Sequence, residues 1–197
     1  MRDTLFPLLL FAFAGSFSPG PNNIMVTASG AAFGLRRSVP HIAGVTIGFA
    51  FMLAALAFGG GSIFASYPDL HSWLRIIGAL YLIYLAWRIA GAGKPGVAEM
   101  NRRPLTFLEA ALFQWANPKA WTLALGAIAA FTPVGRPSTA AMSIIIGAFA
   151  IMTVGSLVTW CQFGVAVARF LNSPEALRLF NLTMAALVAL SVLLLFI

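Results

Sequence analysis

The chain has 197 residues, 60% of them hydrophobic and only 9% charged, with a mean hydropathy of +0.92. A water-soluble domain carries about 25% charged residues, so this composition excludes an ordinary soluble fold and points to lipid as the solvent. Twelve Lys and Arg against five Asp and Glu give a net charge of +7, but the cations fall between apolar stretches and not along one face, which argues against a nucleic-acid footprint.

Six apolar stretches follow one another, at 4–32, 41–65, 71–91, 105–131, 139–166 and 176–197. Each is long enough for a bilayer core, which takes about 20 apolar residues per helix. They use nearly all of the chain. A single polytopic all-α membrane domain over 1–197, lodged in the lipid bilayer, is the expected architecture.

The first stretch opens on Arg2 and an apolar run from Leu5 to Ala14, with a small-residue box at Ala12-Phe-Ala14, as a signal peptide does. Its apolar pattern runs on to Ala32, so a retained span is expected. That span is interrupted by "SFSPGPNNI" (16–24). Proline has no N–H for a helix interior and its ring clashes with the preceding turn. Ser18 and Gly20 each precede a proline and are biased away from helical geometry. Non-helical backbone within a span is tolerated where it is buried in protein or lines a wet cavity. A helix restarting after Pro19, Gly20 and Pro21 would expose unpaired N–H groups and the positive end of its dipole, with Asn22 or Asn23 as the cap. Such an end suits a carboxylate.

The second stretch carries Gly44-x-x-x-Gly48, a close-packing pattern echoed by Gly30-x-x-x-Gly34, and the glycines 59–61 end or loosen it. The fourth stretch holds a second interruption, "WANPKA" (115–120), where Asn117 and Pro118 restart a helix and Lys119 adds a full charge near mid-span. A lysine there costs about 3 kcal/mol or more. A counter-charge for an anionic substrate group is the functional reading; snorkelling or bonding to nearby carbonyls is the structural one. Glu109 is the one carboxylate inside an apolar stretch, and is a candidate for proton coupling or a solvated interfacial residue. Gln114, Thr159, Gln162 and Asn181 are expected to hydrogen-bond between helices. Trp115, Trp121 and Trp160 are expected to pack in the core or meet lipid. Cys161 is expected in the core, and His41 and His71 at span ends as solvated or capping groups.

Cations set the topology. Arg36, Arg37, Arg88, Lys94, Arg102, Arg103, Arg169 and Arg178 follow the odd-numbered spans, against Arg2, Arg75 and Arg136 on the other side. The positive-inside bias makes the odd connections cytoplasmic and both termini periplasmic.

The chain also repeats itself. "LRIIGALYL" (74–82) resembles "LRLFNLTMA" (177–185), and "IAGVTIGFAF" (42–51) meets "IIGAFAIMTV" (145–154), both displaced by 103 positions. The two interruptions each fall midway along the opening span of a half. Repeat one is expected over about 1–92, a cytoplasmic connection over about 93–104 and repeat two over about 105–197. Three spans per half make the two repeats inverted, with the first helix of each broken or re-entrant. In secondary transporters, paired interrupted spans mark the substrate site.

Chemistry of other kinds is poorly supplied. An intramembrane hydrolase needs a nucleophile and a base within hydrogen-bond reach, and neither histidine lies inside a span. "GAGKPG" (91–96) places proline after the lysine and is no phosphate loop. No catalytic residue, cofactor or metal site is expected. A channel or a cation or metal exporter is the alternative, opposed by the scarcity of embedded carboxylates, imidazoles and thiols.

The residues "SPGPNN" (18–23), "GLRRS" (34–38), "AGVTIGF" (43–49), "GALYLIYLAWRIA" (78–90) and "FQWANPKA" (113–120) resemble the lysine exporter (LysE) superfamily, in its homoserine/threonine-resistance branch. Within that branch "LAWRIA" and "FQWANPKA" look most like the cysteine/O-acetylserine exporters. The resemblance implies six spans in a bacterial inner membrane and ion-driven export of small amino acids, with protons as the expected ion. Carried over, the family motif falls on Pro19, Gly20, Pro21, Asn22, Asn117, Pro118 and Lys119. Where family members often have glycine, near the start of the fourth span, this chain has Ala110, so Glu109 beside it has no family support. Together with Asn23 and Gln114, the motif residues form the expected substrate site, and assembly into a homo-oligomer is left open.

Overall fold

A computed structural model describes residues 2–60, 68–91, 103–132, 138–171 and 173–193. Among the described residues the chain is all helical. Helix α1 spans Arg2–Phe17, α2 Pro21–Ala55, α3 Pro68–Ala90, α4 Phe107–Ala116, α5 Pro118–Phe131, α6 Thr139–Phe170 and α7 Pro174–Leu190; a π-helical turn, Leu56–Gly60, continues α2. Lys94, Arg102, Arg136, Gly61 and nearly all of the expected connection over 93–104 lie outside the described residues, as do the side chains of Arg2, His71 and Arg75.

Both interruptions are where the prolines require them. α1 stops at Phe17 and α2 begins at Pro21, while Asn117 alone separates α4 from α5. Proline at the first helical position loses nothing, because that N–H has no intrahelical partner. α2 is itself two limbs, 21–33 and 35–55, hinged at Gly34, whose φ of 77° is a left-handed value that favours glycine. The limbs are pinned across the hinge by a 2.9 Å hydrogen bond between the Ser29 and Ser38 hydroxyls. Arg36 and Arg37 therefore sit at the turn between the first two apolar stretches.

By length and composition, Pro21–Gly59 and Thr139–Phe170 qualify as membrane-crossing segments among the described residues, the first being folded at Gly34 into two limbs; Thr4–Phe17 and Ile76–Ala90 are shorter apolar helices. The distribution of polarity is inside-out. Phe6, Ile151 and Trp87 are each more than 70% exposed, whereas Asn23, Gln114, Asn117, Ser156 and Asn181 are buried. Apolar groups outside and hydrogen-bonded polar groups inside suit a hydrocarbon solvent.

α6 packs most extensively on α2, with α1 beside it; α4 also lies on α2, and α3 pairs with α7. Small residues set these distances. A side chain on Gly30 would run into the Cys161 carbonyl, and one on Gly164 into the Thr27 carbonyl, so α2 and α6 touch backbone to backbone. Gly44 and Gly48 receive α4 at Phe107 and Ala111 in the same way, as expected of that pattern. Gly34, grouped with Gly30 on spacing alone, has open space around it and serves as the hinge. Gly59, at φ 146°, lies in the turn that ends the second stretch.

The core divides into two apolar clusters along the bundle. One joins Met25, Ile42, Val45, Leu82, Phe113, Leu157 and Cys161. The other joins Leu8, Phe49, Met52, Trp121, Ala124, Ile145 and Phe149. Along α2 the first cluster ends at Val45 and the second begins at Phe49, and the polar groups of the two breaks gather between them.

Candidate functional site

The two breaks meet. Asn22, in the first turn of α2, donates through Nδ2 to Oε1 of Gln114 at 2.9 Å, and Gln114 donates back through Nε2 to Oδ1 of Asn22 at 3.3 Å. The same Nε2 also donates to the Ala110 carbonyl at 2.8 Å. From the first turn of α5, the Lys119 ammonium donates to the Ser18 carbonyl, with the Pro19 carbonyl 3.4 Å away. Its stem lies over Gly20, where an added Cβ would stand 2.8 Å from Cδ, so a side chain there would push the lysine off its present path.

A cavity of about 40 Å³ opens at this junction, lined on its polar side by Gly20, Asn22, Asn23, Gln114, Asn117 and Lys119, with Val45, Phe49 and Leu157 as apolar walls. A water needs roughly 10–15 Å³ by this measure, so the cavity holds about three. Six of the nine residues expected in a substrate site line it. Pro19, Pro21 and Pro118 do not; they shape the backbone that does.

The breaks are capped in different ways. Asn117 behaves as expected of a restart: its Oδ1 accepts from the Lys119 N–H at 3.1 Å and caps α5. The expected cap on α2 is absent. Gly20 holds the N-cap position with no side-chain bond, because the asparagines follow Pro21 and so fall inside the first turn, past the position from which a side chain can cap. Asn23 instead turns backwards, its Nδ2 donating to the carbonyls of Ser16 at 2.8 Å and Ser18 at 2.9 Å. It satisfies the end of α1 and not the start of α2.

Three further polar side chains of the cavity were not legible in the sequence: Ser16, Thr153 and Ser156. Ser156 donates to the Ser16 carbonyl at 2.7 Å, and the Ser16 and Thr153 hydroxyls lie 3.4 Å apart. Thr153 and Ser156 are three apart on α6 and share a face, which is the signal that would have found them. The polar residues singled out on α6 fall elsewhere. Thr159 is exposed and bonds to the Gly155 carbonyl of its own helix, and Gln162 is exposed. Neither bridges helices as expected, because both sit on the outer face of α6. Trp160 packs inward and donates from Nε1 to the Phe17 carbonyl at 3.3 Å, while Trp121 donates to the Trp115 carbonyl at 2.8 Å. Cys161 is fully buried in the core.

Glu109 lies in the first turn of α4 and its carboxylate is heavily engaged. Oε2 accepts from the Thr106 N–H at 2.7 Å and Arg103 Nη1 at 2.7 Å, and Oε1 from Arg103 Nη2 at 2.9 Å. Thr106 Oγ1 accepts in return from the Glu109 N–H at 3.2 Å, completing a capping box.

His41 corrects an expectation. It is neither solvated nor a cap: 1% of it is exposed, and neither ring nitrogen has a hydrogen-bond partner. The hinge at Gly34 turns the second limb back along the first, which carries His41 into the bundle and away from the surface.

Comparison with known proteins adds an independent line. A profile of the LysE type translocators matches residues 13–197. The chain is 31% identical over 169 residues to a cysteine/O-acetylserine efflux protein of Klebsiella pneumoniae subsp. pneumoniae, covering 83% of this chain and 84% of the relative. It is 33% identical over 150 residues to the protein of that name in Salmonella choleraesuis (72% and 73% of the two chains). The cysteine/O-acetylserine efflux protein of Escherichia coli O1:K1 / APEC is 30% identical over 149 residues, with the same coverage. No solved structure matches.

Proposed function

The chain belongs to the LysE type translocator family, and from that premise we propose that it is a secondary exporter of small neutral amino acids, with O-acetylserine and cysteine as its first candidate substrates. One observation carries this reading: two interrupted helices, remote in sequence, converge on a single polar cavity between two apolar clusters, and a lysine joins them.

The chemistry follows from the groups present. An ammonium has three donors. Lys119 directs donors to the Ser18 and Pro19 carbonyls, which leaves capacity for a substrate carboxylate at the mouth of the α2 N-terminus, where no side chain caps the helix. The substrate's own ammonium finds acceptors in the amide oxygens of Asn22 and Gln114 and the hydroxyls of Ser16, Thr153 and Ser156. A cation cargo is disfavoured, because Lys119 places a positive charge where it would sit.

A cavity for about three waters is too small for an amino acid, so loading requires the walls to part. In this reading the chain forms six spans as two inverted repeats, α1–α3 and α4–α7, each opening on a broken helix, with odd-numbered connections cytoplasmic and both termini periplasmic. One repeat rocks against the other, exposing the junction first to the cytoplasm and then to the periplasm. A proton gradient drives the cycle. Glu109, engaged by Arg103 and Thr106, is assigned to positioning α4, and the proton is carried elsewhere.

The test is uptake of radiolabelled O-acetyl-L-serine or L-cysteine into inside-out vesicles holding the purified protein, with and without an imposed pH gradient. Saturable uptake that rises with the gradient and is lost in Lys119→Met is expected. Uptake in Lys119→Met equal to the parent removes the assigned role, and single-channel conductance in a planar bilayer would replace the carrier by a channel.

A further inference from the structure

A second, larger cavity of about 460 Å³ lies at the other end of the Met25–Phe113 cluster. Its volume falls within the ~300–1,000 Å³ usual for small-molecule sites. Met25, Ser29 and His41 line it from the two limbs of α2, Arg88 from α3 and Arg103 from the segment before α4.

Its position relative to the central cavity follows from the limbs of α2. Asn22 and Val45 border the central cavity; Met25 and His41 border the second; Ser29 and Ser38 are bonded to each other beyond that. The residues pair off in descending order on one limb and ascending order on the other, so the limbs run antiparallel past both cavities. From Asn22 to Met25, or from Val45 to His41, is three or four residues, about 5 Å of helix rise. One turn of α2 separates the two spaces, and Met25 and His41 stand at the second cavity's end of that turn, on opposite limbs.

The two arginines are unequal. Arg103 already holds Glu109 in a two-pronged ion pair. Arg88 donates to the Arg103 carbonyl at 3.1 Å and lies over the Tyr84 ring at 5.8 Å, and no carboxylate among the described residues pairs with it. A guanidinium with unused, forked donors beside a cavity of this size is suited to a carboxylate. His41 supplies the second observation. A neutral imidazole has one donor and one acceptor, and here both are buried with no partner. That arrangement is unfavourable for as long as its surroundings stay closed and dry. Opening them gives the ring water or a passing ligand.

We propose that this cavity is a loading chamber: it holds the carboxylate of the amino acid at Arg88, and the His41–Met25 layer closes it off from the central site. The inference rests on the exporter reading, under which the arginine-bearing end faces the cytoplasm.

Titration of the whole protein in nanodiscs with O-acetyl-L-serine, by calorimetry, separates the two claims. Two sites are expected in the parent, one removed by Arg88→Gln and the other by Lys119→Met. A single site that only Lys119→Met removes overturns the chamber and leaves the central site standing. A single site that only Arg88→Gln removes does the reverse, and no binding at all overturns both. In inside-out vesicles Arg88→Gln should raise KM about tenfold with kcat nearly unchanged. The layer is tested by His41→Leu, which fills similar volume and leaves no orphaned polar atom. Its melting temperature should hold or rise while kcat falls about tenfold; an unchanged kcat overturns the gate, because a merely structural histidine would not move it.

Discussion

The two breaks look alike as sequence, each a proline beside asparagine within an apolar span, yet they do opposite work. At the second, Asn117 caps its own helix and Lys119 reaches out from it. At the first, the helix start is bare and the carbonyls before it receive donors from Asn23 and Lys119. One break is self-sufficient and exports a charge; the other is incomplete and is finished by its partner. Two self-capped breaks would need nothing from each other. The deficit in the first is what ties the two breaks to each other, and in the proposed cycle a bond of that kind is exchanged for a substrate's carboxylate and ammonium.

The sharpest way to break this comparison is to remove the exported charge. Lys119→Met should lower kcat/KM for vesicle uptake about 100-fold or more, since it takes away a charged group and its hydrogen bonds to the Ser18 and Pro19 carbonyls. Lys119→Arg should recover only part, because a planar guanidinium presents its donors in a fixed fork and cannot reproduce the compact ammonium's bonds to the Ser18 and Pro19 carbonyls. Next comes Asn23→Ala, which takes one of two donors from each of the Ser16 and Ser18 carbonyls, Ser156 and Lys119 supplying the other; an expected loss of about 2 kcal/mol, read by denaturation in detergent, reflects two lost hydrogen bonds. Asn117→Ala removes only a helix cap and should cost about 1 kcal/mol, with Asn117→Ser close to the parent. An Asn117 variant that destabilises more than Asn23→Ala would invert the asymmetry drawn here. The smallest effect belongs to Glu109→Gln: an ion pair with an exposed Arg103 is worth about 1 kcal/mol or less, so stability should shift slightly. Its uptake should keep the parent's dependence on the pH gradient, and a lost dependence would return the proton to Glu109.

Much of the architecture could be read along the chain. Among the described residues the apolar stretches fall largely on helices, both breaks lie at their prolines, and Gly44 and Gly48 receive a neighbouring helix. Six of the nine expected site residues line the cavity. The misreadings have separate causes. Asn23 follows Pro21 into the first turn of α2, past the position from which it could cap, and bonds backwards. Thr159 and Gln162 lie on the outer face of α6. His41 is sealed in because Gly34 turns α2 by a backbone value that the spacing of polar residues does not encode. Ser16, Thr153 and Ser156 went unnoticed because single hydroxyls in apolar helices are common and usually bond to their own backbone.

The chain alone determined where helices begin, stop and break, because proline's missing donor, glycine's freedom and the length of an apolar run act within a few residues of themselves. Only the tertiary structure decided that Asn22 finds Gln114 across 92 positions, that Lys119 completes the other break and not its own, and that a buried histidine stands unpartnered at the wall of the second cavity. Those outcomes turn on side-chain direction summed over hinges and packed faces. A polar group buried in such a bundle takes whichever partner the neighbouring backbone brings within about 3 Å.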